Sequence, residues 1–326
     1  MTASPESVLV YVGLDRFGDG LMKLPFLRAL RATWPAARIT WLAGKGPTVY
    51  AGLLKPLVAG LADEVIESAG IGLATAELLR RPLPGRRFDL VLDTQRRLMT
   101  SLIVRRIAHG RYVSGAAGWL LSDAKPADRA KPPAMIGQML RLIEAASGSP
   151  VDPLGARIAV PPEIEDQARH LLPDGPAYVG LAPGAGDRRK CWPLDRFIEL
   201  AKRLPAPVVL LGPGESDWSD ELHRALPGAR FPLQAGADGP LLSIAVARRL
   251  AVAVANDAGM GHLLAAGDCP LVSLFGPTPA EKFAPFAAML EVVDARNFGS
   301  LEMSAIPVDA VAGAVERLLT GTARPG

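Results

Sequence analysis

Cysteine, histidine and aromatic residues are all scarce in this chain of 326 residues, which has two Cys, four His, five Trp, four Tyr and nine Phe. Cys191 and Cys269 stand in unrelated contexts, so neither a disulfide framework nor a zinc site is expected, and a reducing compartment is. No uninterrupted apolar run reaches the ~18 residues that a membrane-spanning helix needs. The opening Met-Thr-Ala-Ser-Pro-Glu-Ser has no basic n-region, so no signal peptide is expected. No Asp-x-Asp pair occurs, and the net charge is only +3. That balance gives no reason to expect nucleic acid as a partner. What the chain does have is 33 Gly and 30 Pro spread over many turns, and 49% hydrophobic residues. At this length, that composition supports two domains, each with its own core.

Apolar runs alternate with amphipathic stretches from end to end. Strands are predicted at Val8–Val12, Arg38–Leu42, Glu64–Ile66, Leu90–Leu92 and Tyr112–Val113. In the second half they fall at Tyr178–Leu181, Val208–Leu211, Arg230–Phe231, Leu250–Ala255, Pro270–Phe275 and Leu290–Val293. Helices are predicted at Gly20–Thr33, Leu73–Arg80, Met99–Ala108, Ala134–Ser147, Leu194–Arg203, Ser216–Ala225, Pro240–Arg248, Gly261–Ala266 and Val308–Leu319. Continuous rather than alternating apolar strands with short connections are the mark of parallel sheets covered on both faces. Prolines 150, 153, 161 and 162 cluster between the halves. The expected architecture is α/β: two Rossmann-like domains, residues 1–155 and 156–326, with a cleft between them and a last helix that crosses back onto the first domain.

Four motifs fall on predicted strand ends, where open α/β sheets bind ligands. The first is Gly13-Leu-Asp-Arg-Phe-Gly-Asp-Gly, before an amphipathic helix. Asp19, flanked by Gly18 and Gly20, is placed either to cap the helix or to act as general base, and Asp15 is a second candidate base. In the second, Gly184-Ala185-Gly186 leaves backbone N–H groups free for phosphate oxygens, and Arg188, Arg189 and Lys190 add charge. The alternative is a flexible basic loop with a structural Trp192. In the third, Glu215 of Gly212-Pro-Gly-Glu can hold ribose hydroxyls or complement a helix dipole. The fourth runs Asn256-Asp257-Ala258-Gly259-Met260-Gly261-His262 and on to Gly276-Pro277-Thr278. A carboxylate, glycines and a histidine at a helix start suit a phosphorylated ligand or, equally, a capped helix. Separately, nine arginines but only two acids lie between Arg80 and Arg111. Most are read as solvated, with Arg96 and Arg97 facing an anionic acceptor.

Taken in order, these motifs resemble glycosyltransferase family 9, the ADP-heptose:lipopolysaccharide heptosyltransferases. The matching residues are Gly18-Asp19 with Leu24-Pro25 and Leu27 to Arg31; Lys190-x-Trp192-Pro193 with Phe197; Gly212-x-Gly214-Glu215; and Asn256-Asp257-x-Gly259-x-x-His262 running to Gly276-Pro277-Thr278. They span nearly the whole chain. The resemblance implies a GT-B fold that moves a heptose from an ADP-sugar to an anionic glycolipid or glycan, with inversion and with neither metal nor cofactor. It implies Asp19 as catalytic base; Gly18, Gly20, Arg96 and Arg97 are read on the acceptor side. Gly184, Ala185, Gly186, Lys190, Glu215, Asp257, Ala258, Gly259, His262, Gly276, Pro277 and Thr278 would lie on the donor side. The location it implies is cytoplasmic, with peripheral contact at the inner membrane. In this chain Ala258 replaces the family's usual serine, and Gly-Asp-Arg-Arg lengthens the loop before Lys190. A non-catalytic nucleotide-sugar-binding scaffold and another GT-B enzyme, such as a sugar-nucleotide epimerase, are the alternatives.

Overall fold

The computed structural model describes residues 4–233 and 239–321 and divides the chain into two compact units, Met1–Ala159 and Val160–Gly326. Residues 1–3 of the N-terminal stretch read above for a targeting signal lie outside the described residues. In chain order the first unit contains β1 (Ser7–Val12), α1 (Phe17–Thr33), β2 (Arg38–Ala43), α2 (Lys55–Val58), β3 (Glu64–Ile66), β4 (Arg87–Asp93), α3 (Leu98–Val104), β5 (Ala108–Ser114) and α4 (Met135–Ser147). The second contains α5 (Pro162–Leu171), β6 (Val179–Ala182), α6 (Leu194–Ala201), β7 (Pro207–Val209), α7 (Ser219–Ala225), α8 (Pro240–Ala247), β8 (Val252–Asn256), α9 (Gly259–Ala266), β9 (Leu271–Phe275), α10 (Ala280–Phe283), β10 (Leu290–Asp294) and α11 (Val308–Leu319).

Each unit has a five-stranded parallel sheet, ordered β3-β2-β1-β4-β5 in the first and β10-β9-β8-β6-β7 in the second. The strands are apolar throughout because both faces are covered. In β8, Val252 and Val254 join one core with α6 and α11, while Ala253 and Ala255 join the other with α5, α8 and α9. Successive strand residues point to opposite faces, so a strand buried on both sides cannot alternate with polar residues. In both sheets the strand order reverses beside the first strand, between β1 and β4 and between β6 and β8. Loops diverge there, leaving a crevice at the carboxyl ends of the strands.

Several expected elements differ in the structure. α5 lies where the proline cluster suggested a linker: Pro162 occupies the first helical turn, where its missing N–H costs nothing. The predicted helix at Leu73–Arg80 is a 3₁₀ turn, Thr75–Leu79. The Glu77 carboxylate takes the N–H groups of Gly72, Leu73 and Ala74, each at 2.7 Å, and winds the chain too tightly for an α-helix. Arg230–Phe231 makes only an isolated bridge, Val208 to Arg230. α1 starts three residues before the predicted Gly20, so Asp19 sits inside its first turn. The last helix, α11, which the sequence reading sent back toward the first domain, buries Val308, Val311, Ala314, Val315 and Leu318 in the core of its own unit.

Two polar groups anchor α1. Arg28, 2% exposed, donates to the carbonyls of Ala156 (2.9 Å) and Leu154 (2.5 Å) and so ties down the segment that leaves the first unit. A Cβ on Gly155 would meet the Arg28 carbonyl at 2.6 Å, so only glycine fits. Asp15, the second candidate base, is 3% exposed. Its carboxylate accepts from Trp41 Nε1 and Thr48 Oγ1, each at 2.9 Å, and from Lys23 Nζ. It is a buried structural anchor whose lone pairs are already engaged. Asp15→Ala strands an ammonium and an indole N–H, and is expected to destabilise the protein by about 3–5 kcal/mol, the usual cost of breaking a buried ion pair. Urea unfolding measures this, and a loss below about 1 kcal/mol, typical of a surface pair, would contradict the anchoring role.

Candidate functional site

In the second unit, loops from β6, β8 and β9 meet at the switch point. Asn256, the last residue of β8, is fully buried. Its side-chain nitrogen donates to the Pro183 carbonyl at 2.7 Å, and its side-chain oxygen accepts from the Trp192 N–H at 3.1 Å. One amide thus grips both ends of the loop that carries Gly184 to Lys190. Trp192 is itself buried, donating Nε1 to the Ile306 carbonyl at 3.0 Å and meeting Phe197 edge-on at 5.0 Å. Trp192 is therefore structural, and the loop it ends is anchored rather than flexible.

That anchoring sorts the three loop cations. Arg189 turns back onto Asp187 at 2.8 Å. Arg188 lies over the Trp218 ring, 4.2 Å from its centre. Lys190 points toward the sheet edge, with Nζ 2.7 Å from Asp257 Oδ2 and its side chain 27% exposed. The same carboxylate oxygen accepts from the Thr278 hydroxyl, and the Asp257 N–H is held by the Leu274 carbonyl at 3.0 Å. The structure thus gathers Lys190 of the second motif with Asp257 and Thr278, from the two ends of the fourth, into one cluster. Arg296, which the sequence reading missed, supports it by donating to the Thr278 carbonyl at 3.0 Å. Asn256 was quoted in its motif but given no role, because a clamp is visible only once both its loops are in place.

The neighbouring groups fit round this cluster. The Glu215 carboxylate accepts from the Gly212 N–H at 2.6 Å and presses on Gly184, where a Cβ would stand 2.2 Å from its carboxyl carbon. Glycine at 184 is therefore what lets the loops after β6 and β7 meet. Gly276 plays the same part against Met303 and Leu301, whose atoms would be 2.7 and 2.8 Å from a Cβ. Ala258 is the N-cap of α9 and offers no side-chain oxygen, so the first-turn N–H groups, with Gly259 leading, keep their positive potential for a ligand. His262, in the same helix, has its pKa pushed down from 6.5 to about 4: burial is the main cause, and the charge of Lys190 adds to it against that of Asp257.

In the first unit Asp19 is a partly exposed residue at the third position of α1, in its first turn, and one of its oxygens accepts from the Arg16 N–H at 3.2 Å. Capping thus uses one oxygen and leaves the other without a partner among the described residues. Gly18 is exposed, and a Cβ there would meet no atom within 4 Å beyond its chain neighbours and its own helix backbone. Gly20 is buried: a Cβ there would meet Val49 at 2.4 Å, and its carbonyl accepts from Tyr50 at 2.6 Å, so it packs the helix rather than facing solvent. Arg97 is the exposed residue before α3. Arg96 lies over Gly115, whose Cβ would be 3.0 Å from the guanidinium, and it shares a cavity of about 120 Å³ with Lys23, Asp93, Gln95 and Gln138. Asp93 is a buried carboxyl that accepts from Tyr112 (2.8 Å) and Ser114 (3.0 Å); burial raises its pKa. No motif in the sequence marked Lys23, Gln95 or Gln138. Cys191 and Cys269 are both free thiols.

The chain is similar to lipopolysaccharide heptosyltransferase 2 of Salmonella typhimurium, at 25% identity over 87% of each chain. Among solved structures it is similar to the family 9 glycosyl transferase of Veillonella parvula (TM-score 0.72, 20% identity, 97% of this chain and 98% of that one). It is also similar to the ADP-heptose heptosyltransferase II of E. coli (TM-score 0.65, 20% identity, 97% and 99%). At such identities the structural matches speak for the fold, α/β of the GT-B type. The model of glycosyltransferase family 9 (heptosyltransferase) matches residues 77–304, well over half of the sequence, from the 3₁₀ turn of the first unit through the whole ligand edge of the second. The chain is a glycosyltransferase and belongs to family 9.

Proposed function

We propose that this protein transfers a heptose from ADP-heptose to a lipopolysaccharide-core or similar glycan, with inversion and without a metal. The second unit would bind the donor and the first the acceptor. The observation that carries the reading is the Lys190–Asp257–Thr278 cluster at the switch point of the second sheet, beside an N-terminus of α9 that no side chain caps. This is where a diphosphate gains both a cation and oriented N–H groups. Among the described residues no three His, Cys, Asp or Glu side chains gather as a metal would need. Lys190, the loop amides at Gly184, Ala185 and Gly186, and the helix end would then stabilise the leaving ADP. Glu215 would accept from the ribose hydroxyls. Gly276, Pro277 and Thr278 would close the far side of the diphosphate. The name of the E. coli heptosyltransferase II, and that of the Salmonella relative, supply the sugar and the acceptor class.

The chemistry is a single displacement. An acceptor hydroxyl oxygen bonds to the anomeric carbon as the bond from that carbon to the diphosphate breaks. The hydroxyl proton passes to the free oxygen of Asp19, and ADP leaves as an anion. With Asp15 sealed in its anchor, Asp19 is the acid of its motif that remains for this role. Arg96 and Arg97 would meet the anionic groups of the acceptor. We place the reaction in the cytoplasm against the inner membrane, where a glycolipid acceptor is presented. No helix among the described residues is long and apolar enough to cross a membrane.

Asp19→Ala is expected to lower turnover about 10²–10⁴-fold while ADP affinity stays near normal, as loss of a general base does. A turnover within a few-fold of wild type in a stopped transfer assay would move the base elsewhere. Lys190→Ala is expected to weaken ADP binding in calorimetry about 10- to 100-fold, the range for a charge-assisted contact. Wild type should bind ADP in preference to UDP and GDP, and equal affinity for all three would defeat the donor assignment. His262 carries a pH signature. Its folded pKa of about 4 lies below the unfolded 6.5. Between those values the unfolded chain binds more protons, so the histidine's contribution to stability is full above pH 6.5 and is lost as pH falls toward 4. His262→Gln should therefore lose less stability than wild type between pH 7 and pH 5 in thermal melts; parallel losses would show that the imidazole is not buried neutral.

A further inference from the structure

The first unit carries a strip of exposed apolar side chains that neither its core nor the proposed reaction uses. The 3₁₀ turn at Thr75–Leu79 runs alongside α3. Two ties hold them. At one end a Cβ on Gly72 would be 3.0 Å from Thr100, and Lys45 donates to the Thr100 hydroxyl at 2.9 Å. At the other end Arg106 Nε donates to the Arg80 carbonyl at 3.2 Å. On these two segments and at their starts Leu73 is 64% exposed, Leu79 87%, Leu98 52% and Met99 43%. A single exposed leucine needs no explanation, but four large apolar side chains on adjoining segments do.

The charge around the strip is of one sign. Arg80, Arg81, Arg97 and Arg106 are exposed on the same two segments. Arg81 and Arg106, with Arg105 and His109, line an open cavity of about 410 Å³. The acids that face this region are already engaged. Glu77 is closed onto three backbone N–H groups, Asp123 pairs with Arg105 at 2.7 Å, and Glu64 takes Arg86 through two bonds of 2.8 and 2.6 Å. Arg80, Arg81, Arg97 and Arg106 have no acidic partner among the described residues. A soluble anion could fill the basic cavity but would gain nothing from the projecting leucines. A bilayer with anionic headgroups matches both, since it offers phosphates to the arginines and an interfacial region to the apolar tips.

We propose that this strip docks the protein on an anionic phospholipid bilayer, with Leu79 and Leu98 entering the interface and the Arg81–Arg106 cavity holding lipid phosphates. Such docking would serve the membrane placement given above, yet it can be measured without any transfer reaction. The full chain is mixed with phosphatidylcholine vesicles, with and without phosphatidylglycerol, and sedimented. Binding is expected only to the anionic vesicles and should weaken as salt rises. Each arginine near such a surface contributes roughly fivefold to partitioning, so Arg80→Ala with Arg81→Ala should lower it about 25-fold. Leu79→Ser with Leu98→Ser should lower it at least about tenfold through the lost apolar contact. Both double variants should keep the melting temperature of wild type and its stabilisation by ADP. Equal binding to neutral vesicles, wild-type partitioning by either variant, or full displacement by inorganic phosphate would overturn the proposal. If ADP failed to stabilise the protein while vesicle binding held, the donor reading would fall and the docking surface would stand.

Discussion

The ligand edge of the second unit depends on one buried amide. Asn256 has both halves of its side chain satisfied, by the Pro183 carbonyl and the Trp192 N–H, at a site with no access to water. A buried polar group in that position is costly unless every bond is made, so the arrangement is specified sharply once it forms. Because Asn256 ends β8 and its partners follow β6, the clamp spans the point where the strand order reverses. The loop carrying Lys190 then leaves the sheet in a fixed direction, and Lys190 reaches Asp257 on the residue next to the clamp.

The charges near the edge divide into those used for structure and those left for ligands. Asp187 with Arg189, Arg188 with Trp218, and Asp294 with Arg296 form local pairs that shape the loops. Lys190 and Asp257 also pair, but across two loops and at a helix start, where, in the proposed donor site, an incoming diphosphate would compete for the same ammonium. Asp257 then serves to keep Lys190 extended. The first unit shows the same division within one motif: Asp15 is consumed by Trp41, Thr48 and Lys23, whereas Asp19, one helical turn on, gives a single oxygen to the helix start. Two carboxylates four residues apart differ in availability because one is buried and the other is partly open.

The basic arginine region of the first unit follows this logic in a third place. Arg86 is held by Glu64 and Arg105 by Asp123, while their neighbours Arg81 and Arg106 have no acidic partner among the described residues and stand beside exposed leucines. Four arginine doublets that look alike in the sequence therefore differ in what they face.

The sequence by itself determined the alternation of strands and helices, the parallel character of both sheets, and the family. Strands buried on both faces must be continuously apolar, and the motifs at strand ends are local strings whose spacing survives translation into loops. It also placed Lys190, Asp257 and Thr278 at sheet edges, the first in one motif and the other two at opposite ends of another. Only the tertiary structure decided that these three meet, that Glu215 packs on Gly184, that Gly20 is a packing glycine, and that Asp15 is an anchor. Those outcomes rest on burial and on contacts between residues 8 to 67 positions apart in the chain, and neither leaves a periodic or compositional trace. The helix at Pro162–Leu171 was hidden for a related reason: proline at a helix start and proline in a linker read alike until the turn that follows is seen to pack.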